Sequence, residues 1–165
     1  LISKRSFGLN SIAIFVDVQN IYYTTRQTFG RFFDYSKLWS IVQNQGKISI
    51  ARAYAIQRDR EDQIKFQNRL RTIGFDVKLK PYIQRQDGSS KGDWDVGITI
   101  DILECAPSVN KIILLSGDGD FSLLLHKVKE NTGVQTEVYG VAALTADSLI
   151  KAANSYHPID ENLLL

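Results

Sequence analysis

Three groups of polar residues stand where apolar segments begin or end. Asp17 and Asn20 follow an apolar run in IFVDVQN, Asp93 and Asp95 open KGDWDVGITID, and Asp118 and Asp120 close LLSGDGDF. Carboxylates placed at strand ends should converge on one edge of a sheet. Two unit charges about 4 Å apart repel by roughly 4 kcal/mol at an effective dielectric of 20. A cation or a shared proton offsets such a gathering. Carboxylate oxygens suit hard cations such as Mg²⁺ and Mn²⁺. A cation held there lowers the pKa of bound water and stabilises charge during in-line displacement at phosphorus.

Each acid has its own setting. Asp17 is the first polar residue after the apolar residues 12–16. Asn20 lies near the start of the next helix, where it either caps that helix or orients a carboxylate or phosphate. Gly117 and Gly119 leave room for a tight turn and for close approach of a ligand. One of Asp118 and Asp120 is expected to cap the helix that follows. On a helix, positions 95, 98, 99 and 102 share a face, so Asp95 projects with Ile98 and Ile102, which should pack inward. Asp93 points away and reads as a cap. Asp101 lies on another face and reads as a structural pair. Lys91, just before this helix, is within reach of a phosphate or of the acids. His126, His157 and Cys105 sit in apolar or terminal stretches and read as structural. The sequence contains no Ser-His-Asp set, no Cys-x-x-Cys zinc pattern, no Walker A loop and no GxGxxG.

Elements able to position these residues alternate along the chain. Residues 11–16, 47–56, 75–80, 111–115 and 134–139 read as strands, with an edge strand near 155–159. Helices are expected over 20–30, 35–45, 60–73, 94–105, 121–131 and 145–153, with stops at Gly46, Gly74 and Gly133. Residues 84–92 form a polar, glycine-bearing loop. Alternation of this kind implies an α/β fold, a mostly parallel sheet with helices on both faces and right-handed crossovers. Ligands then bind outside the carboxyl ends of the strands, where strand order reverses. Asp17 and Asp118 both fall at such ends.

The chain has 165 residues and 44% apolar content, enough for one domain over 1–165 with its core at about 11–159. No apolar run reaches the length of a membrane span, and the start is too short and polar for a signal peptide. Methionine is absent, as expected of a fragment without its natural start. A single cysteine excludes an internal disulfide and fits a reducing, cytoplasmic setting. Net charge is only +2, yet ten of the twenty Lys and Arg fall between residues 52 and 91. A basic flank beside an acidic pocket suits a polyanion held over a metal centre.

The segments FVDVQN, KGDWDVGITIDIL and ILLSGDGDF, in that order and spacing, resemble the NYN domains of the PIN-like nuclease superfamily. The resemblance is strongest to the LabA-like (DUF88) group and covers most of the chain. It implies a three-layer α/β/α Rossmann-like PIN-type fold and RNA cleavage dependent on Mg²⁺ or Mn²⁺. Carried over residue by residue, Asp17 matches the first acid and Asn20 its companion. Asp95 matches the acid that opens the middle helix, and Asp118 and Asp120 match the last pair. Asp93 is an acid that the family pattern does not require. Members often dimerise, and the apolar tail Leu163, Leu164 and Leu165 is a candidate contributor.

The resulting expectation is a ribonuclease in which Asp17, Asp95, Asp118 and Asp120 face one another and hold one or two divalent ions. Water attacks the phosphodiester and leaves a 5′-phosphate and a 3′-hydroxyl. Asn20 and Ser116 orient ligands or substrate. Arg58, Arg60, Arg85 and Lys91 track the backbone of single-stranded RNA, and Tyr22, Tyr23 or Trp94 stack on unpaired bases. The alternative is a non-catalytic RNA- or protein-binding regulatory module of the same fold. Phosphoryl chemistry on small molecules fits less well. A dehalogenase-type phosphatase needs Asp-x-Asp where this chain has Asp17-Val18-Gln19. A response-regulator receiver needs a lysine where Tyr139-Gly140-Val141 stands.

Overall fold

The computed structural model describes residues 10–81, 83–84, 90–91 and 93–165. In chain order the strands are β1 (Ser11–Asp17), β2 (Lys47–Gln57), β3 (Asp76–Pro81), β4 (Ile83–Gln84), β5 (Ser90–Lys91), β6 (Lys111–Leu115), β7 (Gln135–Gly140) and β8 (Ser155–Pro158). The α-helices are α1 (Val18–Phe29), α2 (Tyr35–Gln43), α3 (Glu61–Ile73), α4 (Asp95–Cys105), α5 (Phe121–Thr132) and α6 (Asp147–Ala152). Six strands form one parallel sheet in the order β3-β2-β1-β6-β7-β8. β4 and β5 pair antiparallel on their own. The expected loop over 84–92 therefore has paired ends; residues 85–89 and 92 lie outside the described residues.

β1 explains the layering. Its residues 12–16 are all fully buried, and alternate members face opposite cores. Ile12, Ile14 and Val16 join Ile21 of α1, Leu38 of α2 and Leu70 of α3. Ala13 and Phe15 join Ile98 and Ile102 of α4, Leu125 of α5 and Leu149 of α6. A strand covered on both faces reads as a continuous apolar run, as this one does. The expected α/β/α architecture is thus present, with strand order reversing between β1 and β6.

Three local expectations change. α2 ends at Gln43 with Asn44 as its C-cap, three residues before Gly46. Asn20 does not cap α1; Asp17 occupies that position. The tail does not offer three leucines to a partner. Leu163 and Leu164 are buried in this chain's own core, Leu164 bridges Phe33, and the Asp34 amide donates to Leu163 O at 2.7 Å. Burial against Phe33 removes their apolar surface from solvent, and only Leu165 stays exposed. Gly133 does stop α5, in the left-handed conformation at φ 65° that favours glycine.

Candidate metal centre

The carboxyl edge of the sheet carries the acids because its two central strands end there side by side. β1 pairs with β6 through Val16 and Leu115, so Asp17 and Ser116 leave the sheet together. Ser116 is fully buried, and its Oγ donates to Asp17 Oδ2 at 2.9 Å. The same Oγ accepts the Asp118 amide at 3.2 Å. Asn20 Oδ1 accepts the Gly117 amide at 2.9 Å, tying the first turn of α1 to the loop after β6. Between capping and orienting, Asn20 thus does the latter, toward the loop backbone.

The SGDGD loop is held tightly on its other side. Gly117 O accepts the Ala146 amide at 3.1 Å. A Cβ at Gly117 would meet Leu144 O at 2.5 Å, so glycine is required by close approach. Asp118 Oδ1 accepts the Asp120 amide at 2.9 Å, which turns the chain into α5. Asp120 is the N-cap residue by position, yet its side chain makes no capping bond. Neither acid of this pair is therefore consumed by a conventional cap.

α4 brings the third acid. Ile98 and Ile102 are fully buried, which fixes the helix face and sends Asp95 toward the same edge. Asp93 Oδ1 accepts the Asp95 amide at 3.2 Å, as a cap-like group should. Trp94 covers the core: its Nε1 donates to Ala55 O at 2.9 Å and its ring meets Tyr54 edge-on at 5.3 Å. Lys80 Nζ lies 4.4 Å from the centre of that ring. Asp101 is structural, accepting from the Tyr54 hydroxyl at 2.6 Å and pairing with Arg52 at 3.5 Å.

The outcome is a group of three. Asp95, Asp118 and Asp120 each place a carboxylate oxygen within 4.8 Å of the others. Asp17 is outside this group, buried and bonded to Ser116, though its charge is felt by Asp95. Burial, then the charge of Asp118 and a hydrogen bond with it, push the Asp95 carboxyl up to about 7. Burial raises Asp17 to about 6, against the lowering effect of the Ser116 bond. Asp93 adds to both shifts, a contribution its reading as a cap did not foresee. Among the described residues, no Lys, Arg or His pairs with any of the three grouped carboxylates. Like-charged oxygens at this spacing, without a cationic partner among the described residues, fit a hard divalent cation.

The remaining candidates lie outside this group of three. Arg58 lines a cavity between α1 and α3. Arg85 lies outside the described residues, and Lys91 is described only as a backbone member of β5. Tyr22 and Tyr23 are exposed on α1. Cys105 is buried, His126 is exposed on α5, and His157 Nε2 lies 2.9 Å from Glu137 Oε1. The sequence reading passed over Tyr35, whose phenol is buried and feels the charge of Asp17. An aromatic residue at a helix start carries no local signal of that proximity.

Six parallel strands, helices on both faces and acids where strand order reverses define a Rossmann-like α/β domain with an acidic sheet-edge site. Residues 11–160 match the NYN domain. The low amplitude and bright protein LabA of Synechococcus elongatus is 31% identical over 144 residues, spanning 80% of this chain and 77% of its own. A crystal structure of a Vibrio parahaemolyticus protein of unknown function is 49% identical, with a TM-score of 0.90, covering 94% of this chain and 96% of that one. The chain belongs to the NYN domain family, and through it to a nuclease-like superfamily.

Proposed function

We propose that this protein is a metal-dependent ribonuclease that hydrolyses phosphodiester bonds of single-stranded RNA at the acidic edge. The observation that carries the reading is the trio Asp95, Asp118 and Asp120, within 4.8 Å of one another and lacking a cationic partner among the described residues. These three would hold Mg²⁺ or Mn²⁺, with Asp17 as the fourth acid of the set. When bound, the ion would supply a nucleophilic water at neutral pH and offset charge on the phosphate.

The chain's own groups do the positioning. Ser116 holds the Asp17 carboxylate by its hydroxyl and the Asp118 amide by its oxygen, so the two acids keep a fixed relation. Asn20 fixes the Gly117 amide and thereby the turn that presents Asp118. Without a metal, burial holds the Asp17 carboxyl up at about 6, and a cation beside it would favour the ionised form. Arg58, Arg85 and Lys91 belong to the basic stretch that runs up to α4, and they would meet the RNA backbone.

The test pairs the wild-type protein with Asp118→Asn on a labelled single-stranded RNA in Mn²⁺. Cleavage by the wild type, lost on chelation and in the variant, supports the reading. RNA left intact by the wild type in Mn²⁺ and Mg²⁺ would overturn it.

A further inference from the structure

A cavity of about 640 Å³ opens between α1, the start of α2, and α3. That volume is within the range of about 300–1,000 Å³ typical of small-ligand sites. Val18 and Gln19, which directly follow Asp17, form part of its wall, as do Ala55 and Ile56 at the carboxyl end of β2. The cavity therefore opens at the same sheet edge as the acids. Tyr35, also in its wall, feels the charge of Asp17, which sets the two sites side by side.

Its lining combines two chemistries. Tyr22, Tyr23 and Phe32 are 43%, 55% and 48% exposed, an unusual density of uncovered rings. The Tyr22 and Phe32 centroids lie 6.0 Å apart, and Arg26 sits 5.0 Å from the centre of the Phe32 ring. Phe66 of α3 adds another ring to the lining, 5.9 Å from Tyr35. Four cations, Arg58, Arg60, Lys65 and Arg69, line the same space. Two carboxylates share it. Asp34 accepts the Lys37 amide at 3.0 Å, Asp62 pairs with Arg60 at 3.2 Å, and Lys65 pairs with Glu61 at 3.3 Å. The cavity is thus aromatic, with four cations against two carboxylates in its lining.

We propose that this cavity is a nucleotide subsite that takes one unpaired base of an RNA strand, with the strand continuing to the acidic centre. The identity of the occupant rests on the proposed action on RNA; the subsite itself requires no cleavage. Aromatic faces accept any base by stacking, and guanidinium groups meet the flanking phosphates. A duplex keeps its bases stacked internally and cannot offer one to the rings.

Fluorescence anisotropy of a labelled short RNA of mixed sequence tests this, in EDTA and on an Asp118→Asn background so that nothing is cleaved. Joint Tyr22→Ala and Tyr23→Ala substitution should weaken single-strand binding by about tenfold, the scale of one lost base stack. The duplex of the same sequence should be unaffected. Both rings are exposed, so the fold is retained, and Arg69→Ala gives an independent removal. Lys127→Ala, at an exposed cation on α5 away from the cavity, should change nothing. Unchanged single-strand affinity in both the tyrosine and arginine variants, or equal loss on duplex, overturns the proposal. The two readings separate cleanly. Stacking variants that lose single-strand affinity while the wild type cleaves nothing would sink the nuclease and leave the subsite. Cleavage by the wild type with an unchanged KM in the stacking variants would do the reverse.

Discussion

Without a bound cation, Asp118→Asn should make the protein more stable. Asp118 raises Asp95 both by charge and by a hydrogen bond, after burial, and Asp95 reaches about 7. At pH 8, above that value, Asp95 is mostly ionised. The oxygens of the two carboxylates lie within 4.8 Å, where two unit charges repel by about 3.5 kcal/mol at an effective dielectric of 20. Both side chains are partly exposed, and solvent screening reduces this to about 1 kcal/mol. Asparagine keeps the carbonyl oxygen that accepts the Asp120 amide, so the turn survives. For a chain of 165 residues, 1 kcal/mol raises the melting midpoint by about 2–4 °C. Thermal unfolding followed by circular dichroism in EDTA at pH 8 measures it. Mn²⁺ at ten times its Kd should then stabilise the wild type by about 1.4 kcal/mol and the variant far less. A variant that melts below the wild type in EDTA, or gains equally from Mn²⁺, would refute the reasoning.

Other outcomes follow from the same geometry. Asp17 moves from 3.8 to about 6 on folding, so the native state holds its proton to higher pH. The Asp17 contribution to metal-free stability should therefore fall as pH rises from about 4 to about 6, by roughly 3 kcal/mol, and Asp17→Asn should remove that part of the slope in a urea-derived pH profile. Ser116→Ala removes the hydroxyl that donates to buried Asp17 and accepts from Asp118. It should cost about 1–3 kcal/mol in urea unfolding at pH 8 and less at pH 4, where Asp17 is neutral. Gly117→Ala drives a Cβ to 2.5 Å from Leu144 O. The expected loss is about 1–3 kcal/mol, and a melting midpoint equal to the wild type would show that the loop gives way.

Much of the site was legible because local pattern sets it. An apolar run buried on both faces, ending in Asp17, marks a central strand. The spacing of Asp95 with Ile98 and Ile102 fixes which way a helix presents its acid. What escaped the reading depends on contacts distant in sequence. Ser116 and Asp17 are 99 residues apart, and nothing local shows that the two are bonded. Asn20 reads equally as a cap until β6 brings Gly117 beside it. The tail leucines look available until Phe33 pairs with Leu164. The aromatic cavity is assembled from α1, α2 and α3, each contributing rings or cations unremarkable alone, with Ala55 and Ile56 of β2 in its wall.

Cleavage of single-stranded RNA, titrated with Mn²⁺ and read for the chemistry of the product ends, bears most directly on the proposed activity. The account predicts cleavage that rises with Mn²⁺, leaves 5′-phosphate and 3′-hydroxyl ends, and disappears in both Asp95→Asn and Asp118→Asn. Cleavage that persists in EDTA or survives both substitutions, or wild-type protein inert at every Mn²⁺ concentration, would contradict it.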